Sequence, residues 1–427
     1  MSPKDIESYV NERLGPRLMV IEPGGRFVYV ANWDLEIVSA YEIEPTTGAL
    51  RPVRGTIQAS GKRPRAVTVD RMGRFLYAAN WDSHSISGYQ IAPSSGALTP
   101  MPGSPFAAGL RPRNLRLHPS GGFAFVSNRD SNDISVFAVN PQTGALTPAP
   151  RARVPAGQKT RYTVLDPPGR FAYAAHQGAH TISVYAVNQR TGELAPHPKS
   201  PVQVGADPRS ITVEPGGKFL YVVNRASDDV SVFEIDPQDG ALTAVAGSPF
   251  RAGKRPFAMH VHPSGRFGYV ANLKSNDICG FSLDPVNGSL MPLPGSPYGA
   301  GAYPVWPVFH PSGKFLYVNN YRSGDVSGFA IDGNSGVLSP VPGSPFKAGS
   351  KYLPGSHPRE PIIDPSGRYL YLVNREIDAV SAYRIDPDSG TLSALSGSPF
   401  PPARRLGLNY WCAVAGMIAK SLRTVAR

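Results

Sequence analysis

Arginine returns at intervals of 48 residues, at Arg17, Arg65, Arg113, Arg161 and Arg209, and again at Arg359 after Phe257 and Val305 have taken the two positions between. A guanidinium offers a planar fork of donors matched to carboxylate or phosphate, a geometry that lysine does not reproduce. A second series keeps the same period: Asn32, Asn80, Asn128, His176, Asn224, Asn272, Asn320 and Asn374. Asparagine amides can hold hydroxyl groups, so the two series together describe a surface for a small polyhydroxylated anion. Both also have a plain structural use. Repeated arginines can pair with Asp34, Asp82 and Asp130 or cap carbonyls of a neighbouring unit, and the asparagines can bond the backbone of the turn that follows them.

Copies that break the pattern are the better guide to chemistry. In the fourth, His176 replaces Asn, His180 follows, and Thr160 replaces the proline before Arg161. In the sixth and seventh, Phe257 and Val305 replace arginine, and His260 and Trp306 are added. The eighth carries the one long insertion, around 350–357, and sets Glu360 beside Arg359 and Glu376 after Asn374. The result is an Arg-rich arc facing an apolar, His-bearing arc, an asymmetry that a purely symmetric scaffold does not need. His118, His262 and His310, by contrast, precede Pro-Ser-Gly turns at the far end of the strand and are expected to be turn residues. His176 and His180 are four apart on a loop, a weak spacing for a metal, and no metal site is expected.

A repeat of all-strand units must position these residues. Each unit reads as a short alternating strand, a Pro-x-Gly turn, an aromatic-flanked strand ending at the Asn position, a third strand, a Gly-Ala-Leu hairpin and Gly-Ser-Pro-Phe. A period near 48 with four strands per unit signals a β-propeller, and eight units predict an all-β fold of eight four-stranded blades. Seven blades with a displaced eighth unit is the alternative. In the fifth unit, 209–214 alternates as the inner strand, 219–224 is apolar on both faces as a buried strand should be, and 230–235 is the third. Gly240 serves the hairpin, and Pro249 blocks extension of the ladder as the chain crosses to the next blade. Because first and second strands are antiparallel, the arginines and the Asn-ending loops must share one mouth of the central channel. Both terminal units look complete, so closure is expected from packing of the eighth blade on the first.

The chain divides into an N-terminal extension at 1–16, the propeller at 17–400 and a tail at 401–427. Within the tail Leu408, Trp411, Cys412, Ala415, Ala419 and Leu422 share helical spacing, which predicts a short amphipathic helix docked on the propeller; the stretch is too short to span a bilayer. Lys and Arg outnumber Asp and Glu by 43 to 31, a net charge of +12, which favours anionic partners. The excess sits at repeat positions without a basic run or aromatic interleaving, so a small anionic substrate is expected and nucleic acid is not. Two cysteines are too few for a disulfide framework. Residues 1–17 lack the apolar segment of a signal peptide, giving a cytoplasmic, monomeric protein as the expectation.

The recurring Pro-Ser-Gly-Arg/Lys-Phe-Leu-Tyr-Val-Asn, Asp-Pro-x-x-Gly-x-Leu and Gly-Ser-Pro-Phe phrases resemble the lactonase-type β-propeller family, over roughly 17–400. That family includes propeller 6-phosphogluconolactonases and fungal carboxymuconate cyclases, and its usual blade number is seven. The Tyr-Val-Ala-Asn strands are also similar to YVTN-repeat propellers, some of which bind protein or nucleic acid. The lactonase resemblance implies hydrolysis of an anionic sugar lactone, without cofactor, by a base that activates water and a cation that stabilises the oxyanion. His176 is the first candidate base, with Glu360 and Glu376 next. Arg65, Arg113, Arg161, Arg209 and Arg359, with His260 and Trp306, are the candidates for binding substrate. A non-enzymatic binding propeller is the competing reading. One pocket holding the histidines, Glu360 and the arginines favours an enzyme; a flat basic face favours binding.

Overall fold

The computed structural model describes residues 16–53, 58–348, 358–375 and 377–401. Eight antiparallel sheets follow one another along the chain, each built from its own consecutive strands, and the first strands of successive sheets stand side by side around a central channel. Eight blades form, not seven with a displaced copy. In the fifth, the inner strand is Pro208–Val213, followed by Phe219–Asn224, Asp229–Ile235 and Leu242–Ala244. The second strand is buried along its whole length in every blade, because a sheet stacked between two others has no free face. The tail, with its expected helix and Cys412, lies outside the described residues. Among the described residues no helix is long and apolar enough to cross a membrane.

The apolar core is divided into seams between neighbouring blades. Phe171, Tyr173 and Val184 of blade four, for example, pack on Leu220, Val222 and Phe233 of blade five. Two devices recur, the first at most seams, though blade three has Phe125 in place of the tyrosine, and the second at every seam. A tyrosine of the second strand donates its hydroxyl to the hairpin carbonyl of the next blade, as Tyr77 does to Gly144 at 2.7 Å and Tyr269 to Gly336 at 2.7 Å. The hairpin glycine itself lies against an aromatic ring of the preceding blade, Gly240 on Phe171 and Gly96 on Phe27.

Blade eight meets blade one by the same two devices. Tyr371 donates to the Gly48 carbonyl at 2.8 Å, Gly48 rests on Tyr369, and one cluster joins Met19, Val28 and Tyr41 to Leu370, Leu372 and Tyr383. Among the described residues no strand is exchanged between the ends of the chain at this seam.

The outer edge differs from expectation in one respect. Gly-Ser-Pro-Phe does not lead straight across to the next blade: its aromatic residue first returns to the third strand, as Phe106 does opposite Ile86, and only then does the chain cross. Blade three lacks this phrase, and its outer strand instead runs unbroken over Leu146–Pro155.

Candidate functional site

Every inner strand opens with a register irregularity against the second strand. In blade one Pro16 pairs with Asn32 and Leu18 with Ala31, leaving Arg17 as the extra residue of a bulge. The same step isolates Arg65, Arg113, Arg161, Arg209 and Phe257. In blades seven and eight the gap widens by one, from Pro304 to Pro307 and from Pro358 to Pro361. Proline has no N–H to return to the ladder, so the irregularity continues past it. A bulge sets two residues opposite one and re-aims their side chains. Here it delivers consecutive side chains to the channel: Arg113 with Asn114, Arg161 with Tyr162, and Arg209 with Ser210 all line it. Below the bulge ordinary alternation resumes, which turns Arg116 and His260 to the same channel.

The channel is a cavity of about 630 Å³ lined by Arg17, Arg65, Arg113, Arg116, Arg161 and Arg209, with Glu360 the one carboxylate of the lining among the described residues. Arg161 is only 2% exposed and Arg113 6%. Burial, followed by the charges of Arg113, Arg17 and Arg161, holds the Arg65 guanidinium well below its ordinary value; burial and Arg113 do the same to Arg161. Burial likewise draws Arg113 down to about 10. Crowded cations of this kind are destabilised until an anion arrives. Aromatic faces brace them in the meantime: Arg17 lies 3.9 Å from the Trp33 ring, Arg65 4.7 Å from Trp81, and Arg209 4.1 Å from Phe257. Arg161 is further held by donating to the Arg209 carbonyl at 3.2 Å and to Gln177 Oε1 at 3.0 Å.

The loop acids serve a different set of arginines. Asp82 pairs with Arg63 at 3.1 Å, and Asp130 with Arg111 at 2.9 Å and Arg129 at 2.7 Å, all at the rim. The ring arginines Arg65, Arg113, Arg161 and Arg209 make no carboxylate pair among the described residues, which leaves their charge directed into the channel. On the opposite wall, Trp306 meets Phe257 edge-on at 5.3 Å and His260 at 6.1 Å. Burial and then Arg116 hold His260 at about 4, so it is a neutral imidazole at neutral pH. Burial raises the Glu360 carboxyl above its ordinary 4.5, with Arg116 opposing that rise.

Arg65, Arg113, Arg161, Arg209, His260, Trp306 and Glu360 therefore share one cavity. His176 does not join them. It is fully buried inside blade four, where Nδ1 meets Thr160 Oγ1 at 3.0 Å and Nε2 meets Ser183 Oγ at 2.8 Å. That is the place of the asparagines elsewhere: Asn128 Nδ2 donates to Asp133 Oδ1 at 2.7 Å and to Ser135 Oγ at 2.8 Å, side chains of the third strand and not the turn backbone. Burial holds His176 at about 4. The Arg359 side chain and Glu376 lie outside the described residues. Tyr162 and Arg116, absent from the sequence expectation, are both in the cavity, and their signal was the same break in the repeat that marks Trp306, Glu360 and His260 at equivalent positions. His118, His262 and His310 brace turns as expected, each bonding the carbonyl of a glycine in the next blade, Gly169, Gly313 and Gly367, at 2.9 Å.

Residues 19–109, 63–163, 162–352 and 347–402 match the family described as lactonase, 7-bladed beta-propeller. The chain belongs to this family, with eight blades in place of seven. Among solved structures it is similar to the periplasmic gluconolactonase PpgL of Pseudomonas aeruginosa, at 23% identity over 79% of this chain and 96% of that one, with a TM-score of 0.56. A proposed 6-phosphogluconolactonase of Bacteroides fragilis NCTC 9343 is 21% identical over 73% and 91%, with a TM-score of 0.59. Sqt1 of Chaetomium thermophilum is similar too, at 13% identity over 85% and 94%, with a TM-score of 0.63. At such identities these likenesses speak to the fold. No curated protein matches the chain.

Proposed function

We propose that this protein is a lactone hydrolase acting on an anionic sugar lactone such as 6-phosphogluconolactone, within the central channel. The observation that carries this reading is the convergence of six arginines and, among the described residues, a single carboxylate in one central channel, in a chain of the lactonase family. A deep cavity supports an enzyme over a binding propeller, for which a flat basic face was the expectation.

Arg113, Arg161 and Arg209 bind the substrate anion, and the guanidinium nearest the lactone carbonyl stabilises the oxyanion formed when water adds. Glu360 takes the proton from that water. Its raised pKa makes it a stronger base than an exposed carboxylate. His260, held neutral, is left as a hydrogen-bonding group beside Trp306, which with Phe257 forms an apolar wall for the sugar's carbon face. The route uses no cofactor, and a single chain supplies every group it needs. A phosphorylated lactone does not cross a bilayer unaided, which agrees with a cytoplasmic location.

A panel of sugar lactones, phosphorylated and neutral, tests the reading. Hydrolysis above the spontaneous rate is expected, with Glu360→Gln slowing it about 100-fold or more. Absence of turnover on every lactone overturns it, and an unaffected Glu360→Gln variant removes Glu360 from the mechanism.

A further inference from the structure

The channel contains a phenol that this mechanism leaves idle. Position two of the inner strand carries Leu18, Ala66, Asn114, Ser210 and Ala258 in five blades, Trp306 and Glu360 in the seventh and eighth, and Tyr162 in the fourth. The bulge at Arg161 turns this phenol into the cavity, between two of the ring cations: the Arg113 and Arg161 guanidinium carbons lie 5.8 and 5.6 Å from its ring centre. Several other tyrosines have the opposite surroundings. Tyr77, Tyr173, Tyr269, Tyr317 and Tyr371 are sealed in blade seams with the hydroxyl committed to a hairpin carbonyl.

We infer that Tyr162 is the general acid of the reaction, donating its phenolic proton to the alkoxide that leaves when the lactone C–O bond breaks. The inference rests on the hydrolase reading and extends it to the second half of the reaction. Water adds to the carbonyl carbon and gives its proton to Glu360. The tetrahedral intermediate then collapses, breaking the ring C–O bond, and the departing oxygen takes the proton of Tyr162. What remains is a hydroxy acid, a protonated Glu360 and a tyrosinate. Transfer of the Glu360 proton through water to the tyrosinate, and ionisation of the product acid, restore both groups. A tyrosinate between Arg113 and Arg161 is a favourable resting place for that charge. Burial alone raises the phenol's pKa; Arg161, Arg113 and Arg65 outweigh it, against the smaller opposing charge of Glu360, and bring it below its ordinary 10. Arg17, Arg116, Arg209 and His260 line the same cavity and complete the charged surroundings.

Tyr162→Phe keeps the ring and removes the proton. It is to be compared with wild type on two substrates: a sugar lactone, whose alkoxide leaving group needs a proton, and dihydrocoumarin, whose phenolate leaving group does not. The expected result is a loss of about 100-fold in kcat on the sugar lactone, most of which disappears on dihydrocoumarin, together with loss of the alkaline limb of the wild-type pH profile. Circular dichroism and the melting temperature should be unchanged, since the hydroxyl faces a cavity. Equal slowing on both substrates, or an alkaline limb that persists in the variant, overturns the role of Tyr162 while leaving the hydrolase reading intact. Wild-type protein inert on both substrates overturns the hydrolase reading and this role with it. An ultraviolet difference titration, wild type minus variant, reads the tyrosinate without turnover, and ionisation at or above pH 10 overturns the proposal by itself.

Discussion

Glu360 and His176 are opposite outcomes of burying a titratable side chain, and each predicts a pH dependence. Burial lifts the Glu360 carboxyl above 4.5, and the base must be ionised to accept a proton. Activity should therefore fall as pH drops through a midpoint above 4.5; a kcat/KM profile with its acid limb at or below 4.5 contradicts Glu360 as the base. His176 is depressed to about 4 by burial, against 6.5 in an unfolded chain. Below pH 6.5 the unfolded state takes up a proton that the folded blade refuses, so stability declines as pH falls from 6.5 and is fully lost by 4, to a total of about 3 kcal/mol. His176→Asn restores the residue of the other blades, and urea unfolding should show it gaining on wild type across that window. A difference independent of pH would contradict the assignment. Both residues stood out in the sequence as interruptions of a repeat, but the interruption alone did not say which way each side chain faced. His176 sits at the buried end of a second strand, and Glu360 in a widened bulge.

At the scale of the element, the hairpin glycine has two requirements that alanine violates. Gly240 holds a φ of +77°, and a Cβ there would lie 2.5 Å from Phe171 of the preceding blade. Gly121 has the same φ of +77° with nothing within 4 Å. Gly121→Ala should thus cost only backbone strain, roughly 1 kcal/mol, and Gly240→Ala roughly 2–4 kcal/mol in denaturant unfolding. Equal losses would mean that the hairpin does not pack as described. Turns of this kind were legible from Pro-x-Gly and Gly-Ala-Leu, since their residue types follow from local backbone geometry. The bulge was not. Whether a strand carries one extra residue depends on its pairing with a neighbour, and nothing in Arg161-Tyr162 taken alone distinguishes two channel-facing side chains from one facing in and one facing out. That is why Tyr162 and Arg116 went unnoticed while Arg113 and Arg161 were found.

For the whole molecule, blade number was legible in the eight near-equal copies, and the seam between blades eight and one uses the same hairpin-glycine contact as the other seams. Gly48 has a φ of +73°, and a Cβ there would lie 2.3 Å from Tyr369. Gly48→Ala should therefore destabilise the protein as much as Gly240→Ala; a loss no larger than that of Gly121→Ala would indicate a loose seam. Closure matters for function because the arginines of blades one to five and Glu360 of blade eight line a single cavity only in a closed ring. The central claim is that this cavity selects and hydrolyses an anionic lactone, and the most direct measurement is kcat/KM for 6-phosphogluconolactone against gluconolactone, in wild type and in Arg161→Gln. Wild type should favour the phosphorylated lactone, and Arg161→Gln should lose about 100-fold on it and much less on the neutral one. No hydrolysis of either lactone, or a preference untouched by Arg161→Gln, would contradict the claim.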